Sequence, residues 1–159
     1  PKRQISNGLA EAVKMSLTSN KELFNLFETQ NIEENIDKII EESLRIKKYV
    51  VEADEKEAGL RKILNFGHTI GHAIESQNEF STLYHGECVG LGMLYCCGEE
   101  VKEKLTAALK KLNLPTKCEI NADEIIDFMS HDKKKSGDSI SVIWVSKIGS
   151  YEVRKMTLS

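Results

Sequence analysis

The chain has 159 residues, with 22 basic and 25 acidic side chains and a formal net charge of −3 at neutral pH. This balance excludes an extended basic surface, so neither nucleic acid nor an anionic membrane is expected as a partner. Apolar residues make up 40% of the chain, and no apolar run reaches the ~20 residues of a membrane span. We therefore expect one globular domain over residues 1–159, located in the cytoplasm, with its four cysteines as reduced thiols.

Helices dominate the first half of the predicted structure. Ser6 or Asn7 can cap a first helix that continues to residue 19, and a second helix is expected over residues 20–28. Apolar residues recur with a helical period between Ile32 and Ile46, which predicts a long amphipathic helix. A histidine-containing helix follows, then a loop around residues 79–84.

The second half of the chain changes character near its end. A nearly all-apolar helix, expected to be central, is predicted over residues 86–103, and a short helix ends at Pro115. Asn121 or Asp123 can cap another helix. β-branched and aromatic residues around a turn at Gly149 then predict a small hairpin. The predicted fold is mainly α, a multihelical domain with a small β-hairpin near the C-terminus.

One set of polar residues has the spacing of a single helix face. Glu57, Arg61, Asn65, His68 and His72 are separated by four, four, three and four positions, so one helix that carried them all would align them. A solvated surface is the ordinary explanation of such a stripe. These residues are reactive rather than solubilising types, which favours a polar cleft.

Two glycines interrupt the same segment. Gly67 and Gly71 each cost roughly 1 kcal/mol of helix stability relative to alanine. A helix accepts that cost where another group must approach its backbone closely. We therefore expect this helix to pack tightly on one side.

A third histidine, His85, lies in the short motif YHGE at the start of the next predicted helix. If a turn brings it beside His68, two imidazoles and one carboxylate form a divalent-metal site with positions open for substrate. Spacing does not choose the carboxylate, and four candidates remain open: Glu11, Glu57, Glu75 and Glu87. A metalloprotease HExxH site is excluded, because Thr69 follows His68 where that motif has glutamate.

Several other residues have ordinary structural explanations. His131 is expected at the surface, Cys88 in core packing, and Lys47 with Lys48 on a solvated helix face. The run of lysines at 133–135 is either solvated or placed to bind a phosphate or carboxylate.

Four segments together resemble a known family. NGLAEAVK, EKEAGLRKILNFGHTIGHAIE, YHGECVGLGM and DKKKSGDSISVIWVSKIG are similar, in this order, to the C-terminal helical domain of the 3-dehydroquinate synthases. Few folds beyond the sugar-phosphate cyclases combine the GHTxGHA and HGE signatures. Cys88 departs from the pattern, since the family usually has alanine there.

The resemblance implies roles for individual residues. The metal ligands it implies are Glu11, His68 and His85. Lys14 and His72 match residues around the substrate hydroxyls, and Glu57 matches an acidic site residue. The positions that match residues holding the substrate carboxylate and phosphate are Lys47, Arg61, Asn65 and one of Lys133 or Lys134.

The resemblance also implies a reaction and its cofactors. The family converts 3-deoxy-D-arabino-heptulosonate 7-phosphate (DAHP) to 3-dehydroquinate with release of phosphate in the shikimate pathway, using zinc or cobalt and NAD. This chain has no glycine-rich strand-to-helix turn of the kind that cradles a dinucleotide. We therefore expect NAD to be bound mainly by an N-terminal α/β domain absent from this chain, the isolated chain to be inactive, and the full-length enzyme to be a homodimer.

Two other functions fit the same residues. A related sugar-phosphate cyclase that makes an inosose or a valiolone would share the metal site, although Lys47 with Arg61 favours an acidic substrate. A non-catalytic helical module with a structural zinc is the second alternative. Closed four-ligand coordination would favour the module, and three ligands with an open position would favour an enzyme.

Overall fold

The computed structural model describes residues 1–56, 59–77, 83–132 and 139–157. These residues form seven α-helices, one 3-10 helix and two strands. In chain order the elements are α1 (Lys2–Ser19), α2 (Lys21–Thr29), α3 (Ile36–Ala53), the 3-10 helix (Leu60–Asn65), α4 (His68–Gln77), α5 (His85–Leu94), α6 (Glu99–Lys111), α7 (Ala122–Asp132), β1 (Ser139–Trp144) and β2 (Glu152–Thr157). The predicted fold class, mainly helical with a hairpin, is confirmed.

Helix α5 lies at the centre of the domain. Every residue from Gly86 to Leu94 is buried, and a helix that is apolar on all sides belongs inside a core. Helices α1, α4 and α6 pack around it. The expectation of a central helix is confirmed, and α5 carries His85 at its first position.

The histidine segment does not form one helix. The 3-10 helix ends at Asn65 and α4 begins at His68, with Gly67 between them at a φ of 74°. Few residues other than glycine adopt that left-handed conformation at low cost, so the chain turns there. The prediction that one face carries Arg61, Asn65 and His72 is wrong, and Glu57 lies outside the described residues.

The predicted helix over residues 86–103 is also two helices. Helix α5 ends at Leu94 and α6 begins at Glu99. Between them the backbone pairs with Val145, whose N–H donates to the carbonyl of Cys96 (3.1 Å) and whose carbonyl accepts from Gly98 (3.0 Å). These backbone hydrogen bonds replace those of a continuing helix.

The predicted helix caps have mixed outcomes. Helix α1 begins at Lys2, so neither Ser6 nor Asn7 caps it. The side chain of Asn7 instead accepts a hydrogen bond from the backbone of Gly86 (2.6 Å), which ties α1 to the start of α5. Asn121 does cap α7, because its side-chain oxygen accepts from the N–H groups of Asp123 and Glu124.

The hairpin closes the domain against the far end of α1. Strands β1 and β2 are antiparallel, with Ile143 opposite Val153. Gly149 has a φ of 90° in the turn, and its N–H donates to the carbonyl of Leu17 (2.8 Å). Within the described part of the chain, no helix is long and apolar enough to cross a bilayer.

Candidate metal centre

Three helices bring one carboxylate and two imidazoles together. Glu11 lies on α1, His68 at the first position of α4 and His85 at the first position of α5. Glu11 Oε1 lies 3.5 Å from His68 Nε2 and 3.9 Å from His85 Nε2, and one donor atom of each residue lies within 4.8 Å of the others. Of the three candidate carboxylates that the structure describes, Glu11 is the one that lies near the Nε2 atoms of both histidines.

Glycines allow α4 and α5 to approach closely enough for this arrangement. A β-carbon on Gly92 of α5 would overlap the carbonyl oxygen of Gly67, and one on Gly71 would lie 3.0 Å from the carbonyl oxygen of Cys88. The rings of His68 and His85 consequently lie 5.4 Å apart between centroids. The close approach predicted from Gly67 and Gly71 is therefore made by the backbone of α5.

The hydrogen bond of His68 fixes which ring nitrogen carries the proton. Its Nδ1 lies 3.1 Å from the carbonyl oxygen of Phe66, and a carbonyl can only accept, so Nδ1 donates. Burial and the nearby Lys14 ammonium lower the pKa of His68 despite the opposing effect of Glu11. A neutral His68 therefore presents the lone pair of Nε2 toward Glu11.

His85 is oriented in the same sense by a side chain. Its Nδ1 lies 3.0 Å from Glu75 Oε2, and an ionised carboxylate likewise only accepts. Nδ1 then carries a proton, and Nε2 is the ring nitrogen that faces Glu11. Glu75 also belongs to a second group of possible ligands, with His72 and His85.

Glu11 has a buried partner in Lys14. The side chain of Lys14 is only 4% exposed, and its ammonium contacts Glu11 Oε2 and donates to the carbonyl of Leu64 (2.7 Å). Burial acts to raise the pKa of Glu11, but the Lys14 ammonium, together with the two histidines when they are protonated, outweighs it, and the pKa is lowered. Burial lowers the pKa of Lys14 against the opposing effect of Glu11, and Lys47 lowers it further. Glu11 is thus held as a carboxylate with Oε1 facing the histidines.

These residues fit a divalent cation by their own chemistry. One carboxylate oxygen of Glu11 and one ring nitrogen of each histidine face a common point, and carboxylate oxygens and imidazole nitrogens are ligands that zinc takes in proteins. Tetrahedral zinc at about 2.1 Å from its ligands holds them about 3.4 Å apart, close to the separations observed. Cys88 follows His85 by three residues, but its side chain is fully buried in the core and does not belong to this group of converging ligand atoms.

The start of α5 is held by residues that the sequence analysis did not select. Arg3 donates to both carboxylate oxygens of buried Glu87 (2.7 and 2.9 Å), and its guanidinium lies 4.2 Å from the centre of the Tyr84 ring. Glu87 also accepts from the N–H of Tyr84 (2.9 Å). These contacts occupy Glu87, another candidate ligand, and fix the turn that presents His85. We call the paired hydrogen bonds between Arg3 and Glu87 the Arg3–Glu87 clamp. Of its two residues, only Glu87 could be noticed in the sequence, because it belongs to the HGE motif.

The remaining predicted site residues lie at different distances from this centre. His72 is exposed, with its ring 5.5 Å from that of His68 and 5.7 Å from that of His85. Lys47 lines, with Glu11, a cleft of about 440 Å³ between α1 and α3. Arg61 is half-buried and donates to the carbonyl of Glu55 (3.3 Å), while Asn65 is exposed.

Other predictions concern residues farther along the chain. Lys133 and Lys134, like Glu57, lie outside the described residues. His131 is exposed on α7 and contacts the carbonyl of Asp127 (2.8 Å), as a surface residue should. All four cysteines lie in the described part of the chain as free thiols, and Cys88 is fully buried in the core.

Comparison with known proteins identifies relatives of this domain. The sequence model of the 3-dehydroquinate synthase C-terminal family matches residues 8–135. The 3-dehydroquinate synthase of Campylobacter concisus is 39% identical over 165 residues, which cover 97% of this chain and 48% of that protein. The 3-dehydroquinate synthase of Dictyoglomus turgidum is 37% identical over 167 residues, with 95% and 47% covered. The chain thus spans about half the length of the curated relatives it matches.

Solved structures with the same fold extend the comparison. The 2-epi-5-epi-valiolone synthase ValA of Streptomyces hygroscopicus, with NAD+ and Zn2+ bound, superimposes with a TM-score of 0.80 at 20% identity, covering 97% of this chain and 48% of ValA. A 2-deoxy-scyllo-inosose synthase complexed with carbaglucose-6-phosphate, NAD+ and Co2+ gives a TM-score of 0.72 at 24% identity, covering 99% and 49%. At these identities the matches show a shared fold.

Proposed function

Because the chain belongs to the 3-dehydroquinate synthase C-terminal family, we propose that it is the metal- and substrate-binding half of an enzyme that converts DAHP to 3-dehydroquinate with release of phosphate. The shikimate pathway is the context that this reaction implies. The observation that carries the proposal is the convergence of one carboxylate and two imidazoles, on Glu11, His68 and His85, from three separate helices.

The proposed roles of the site residues follow from their positions. Glu11, His68 and His85 hold zinc or cobalt, which when bound acts as a Lewis acid and lowers the pKa of a substrate hydroxyl. His72 is exposed beside both histidine ligands, where a neutral imidazole can accept the proton of that hydroxyl. Lys14 keeps Glu11 ionised and presents a cation at the floor of the site.

Cations around the site suit an anionic substrate. Lys47 lies close enough to Lys14 to lower the pKa of that ammonium, so the two charges act on a common region. We propose that Lys47, Arg61 and Asn65 hold the carboxylate and phosphate, together with Lys133 or Lys134. Glu57 is proposed as a further acidic residue of the site.

A second half of the enzyme is part of the proposal. ValA and the inosose synthase are described with NAD+ bound, and this chain covers about half of each. We propose that an N-terminal α/β domain binds NAD, which accepts a hydride from the substrate and later returns it, and that residues 1–159 are a single helical domain without activity alone. The complete enzyme is proposed to be a homodimer.

The decisive experiment joins this chain to the half of the Campylobacter concisus relative that it does not match. With NAD and zinc present, the chimera should release phosphate from DAHP, and the isolated 159-residue chain should bind zinc without releasing phosphate. The relative in its natural form is the positive control, and a chimera with His68→Ala is the negative control. A folded chimera that binds NAD and zinc but leaves DAHP intact would contradict the proposal.

A substrate panel separates the proposal from its nearest alternative. The shared fold with ValA and the inosose synthase makes other sugar phosphates the relevant competitors. The chimera should prefer DAHP, which carries a carboxylate, over glucose 6-phosphate and sedoheptulose 7-phosphate, which do not. Turnover of either sugar phosphate that lacks a carboxylate, with no turnover of DAHP, would assign the chain to another cyclase.

A further inference from the structure

Each proposed metal ligand has one hydrogen-bond partner on its far side. Lys14 contacts Glu11 Oε2, the carbonyl of Phe66 accepts from His68 Nδ1, and Glu75 Oε2 lies 3.0 Å from His85 Nδ1. In each case the contact leaves a different atom, Oε1 or Nε2, facing the common point. The first two partners are fixed by burial or belong to the backbone, whereas Glu75 is a side chain that substitution can remove.

We infer that Glu75 is a positioning residue for the metal centre. It acts through His85, by holding the proton on Nδ1 so that Nε2 remains an acceptor. This inference rests on the proposed metal site of Glu11, His68 and His85. A carboxylate that accepts from a ligand imidazole fixes its tautomer and orientation and increases the electron density that it donates.

Because His85 is more exposed than His68, its orientation should depend more on Glu75 than the orientation of His68 depends on the carbonyl of Phe66. The side chains of His85 and Glu75 are each 44% exposed, compared with 17% for His68. Surrounding core packing therefore constrains the His85 ring less than the His68 ring. The backbone of His85 is fixed by the Arg3–Glu87 clamp and by Asn7, but these contacts do not select its tautomer.

Glu75 and His85 are brought together by the same helix packing that builds the site. Glu75 lies on α4, two turns after His68, and His85 begins α5. Gly67, just before α4, meets Gly92 near the end of α5, and Gly71 meets Cys88 closer to the start of α5. The two helices therefore run antiparallel, and the last turn of α4, which carries Glu75, lies beside the start of α5.

The test measures zinc affinity in the 159-residue chain by competition with a chelator. Loss of the side chain in Glu75→Ala should weaken zinc binding about tenfold, the lower end of the range for such partners, because solvent can replace part of the contact. Glu75→Gln should weaken it less, since the amide oxygen still accepts from Nδ1. Glu100→Gln removes the same charge from a side chain that is 85% exposed on α6, and should leave the affinity unchanged.

A second readout reports the tautomer without metal. In metal-free chain labelled with 15N-histidine, the nitrogen chemical shifts of His85 should show the proton on Nδ1. Glu75→Ala should move the population toward the Nε2-protonated form, while the unfolding temperature stays the same. A purely structural role for Glu75 would not produce that change.

The outcomes distinguish this inference from the proposal beneath it. If the unsubstituted chain binds no zinc, the proposed metal site itself fails. If it binds zinc and Glu75→Ala changes neither the affinity nor the tautomer, the positioning role is wrong. Two zinc ions per chain, with Glu75→Gln losing one of them, would also overturn it, because Glu75 would then be a ligand of the group with His72 and His85.

Discussion

The two sides of the candidate site differ in how they are held. One side, here called the buried wall, consists of Glu11, Lys14 and His68, and the other, the exposed rim, of His72, Glu75 and His85. The side chain of Lys14 is 4% exposed and that of His68 is 17% exposed, against 44% for His85 and for Glu75. Glu11 is 38% exposed and belongs to the wall through its contact with Lys14. The wall is held by buried groups and backbone contacts, and the rim by contacts between exposed side chains.

The two sides of the site therefore depend on different interactions. Burial shifts the pKa values of Lys14 and His68 downward, so the fold itself sets the charge states of the wall. The rim depends on single hydrogen bonds that water can replace in part. Damage to the wall should therefore reduce stability, and damage to the rim should reduce function while the fold survives.

The largest effect is expected where the wall is assembled. Gly92→Ala places a β-carbon against the backbone of Gly67, and backbone cannot give way as a flexible side chain can, so we expect a loss of at least about 3 kcal/mol in the free energy of unfolding. Urea denaturation measures it. Gly8→Ala, with no atom within 4 Å of its β-carbon in α1, should instead stabilise the chain by about 0.5–1 kcal/mol. Equal stability of Gly92→Ala and the natural chain would show that α4 and α5 can separate freely.

On the rim, function should be lost without loss of structure. His72→Ala in the chimera should lower kcat about a hundredfold, as expected for removal of a general base, while the zinc content stays at that of the unsubstituted chimera. His131→Ala, which removes an exposed histidine from α7, should change neither quantity. Loss of zinc in His72→Ala would instead move His72 into the ligand set.

Removal of the buried Lys14 ammonium tests how much its charge contributes to the stability of the wall. Lys14→Met leaves the Glu11 carboxylate and the Leu64 carbonyl without their ammonium partner. We expect a loss of about 2 kcal/mol, less than for a fully buried pair because Glu11 is 38% exposed. Lys48→Met breaks an exposed contact with Glu52 and should cost less than about 0.5 kcal/mol. Equal losses in the two variants would show that burial does not make the contact of Lys14 with Glu11 more important to stability than an exposed ion pair.

The smallest expected effect is measured in the unsubstituted chain, where the reactivity of each cysteine reports how well the core around it stays closed. Burial raises the pKa values of Cys88 and Cys96 to about 12 and that of Cys97 to about 11, so at most about one of these thiols in a thousand is ionised at pH 8, rising tenfold with each further pH unit. Cys118 is partly exposed. Mass spectrometry after treatment with iodoacetamide should therefore show one alkylated cysteine, Cys118. Alkylation of Cys88 at the same rate would show that α5 opens readily behind His85.

Local patterns predicted most of the helices and the hairpin, and failed where distant contacts decide. The apolar period of α3, the Asn121 cap and the Gly149 turn are encoded by neighbouring residues. The break between α5 and α6 depends on Val145, which lies far along the chain. Asn7 has the chemistry of a helix cap, but it is used to hold Gly86 instead. Sequence spacing cannot reveal such pairings.

The site was only partly predictable for the same reason. The meeting of His68 and His85 was foreseen from two adjacent helices, whereas residue spacing alone left four carboxylates open. The structure separates three of them: Glu11 faces both Nε2 atoms, Glu75 contacts the Nδ1 atom of His85, and Glu87 is paired with Arg3. These assignments depend on how α1 crosses α4 and α5, and that crossing depends on contacts along the whole length of the helices.

The separation of the three proposed ligands along the chain has a thermodynamic consequence. Glu11, His68 and His85 belong to segments that are joined by one long and one short stretch of chain, so an ion held by all three is a crosslink that closes two loops. An unfolded chain must lose loop entropy to form that crosslink, whereas the folded chain has lost it already. Free ion at a hundred times its dissociation constant would add about 2.7 kcal/mol to the stability. Metal supply would then govern the lifetime of this domain against proteolysis as well as its chemistry.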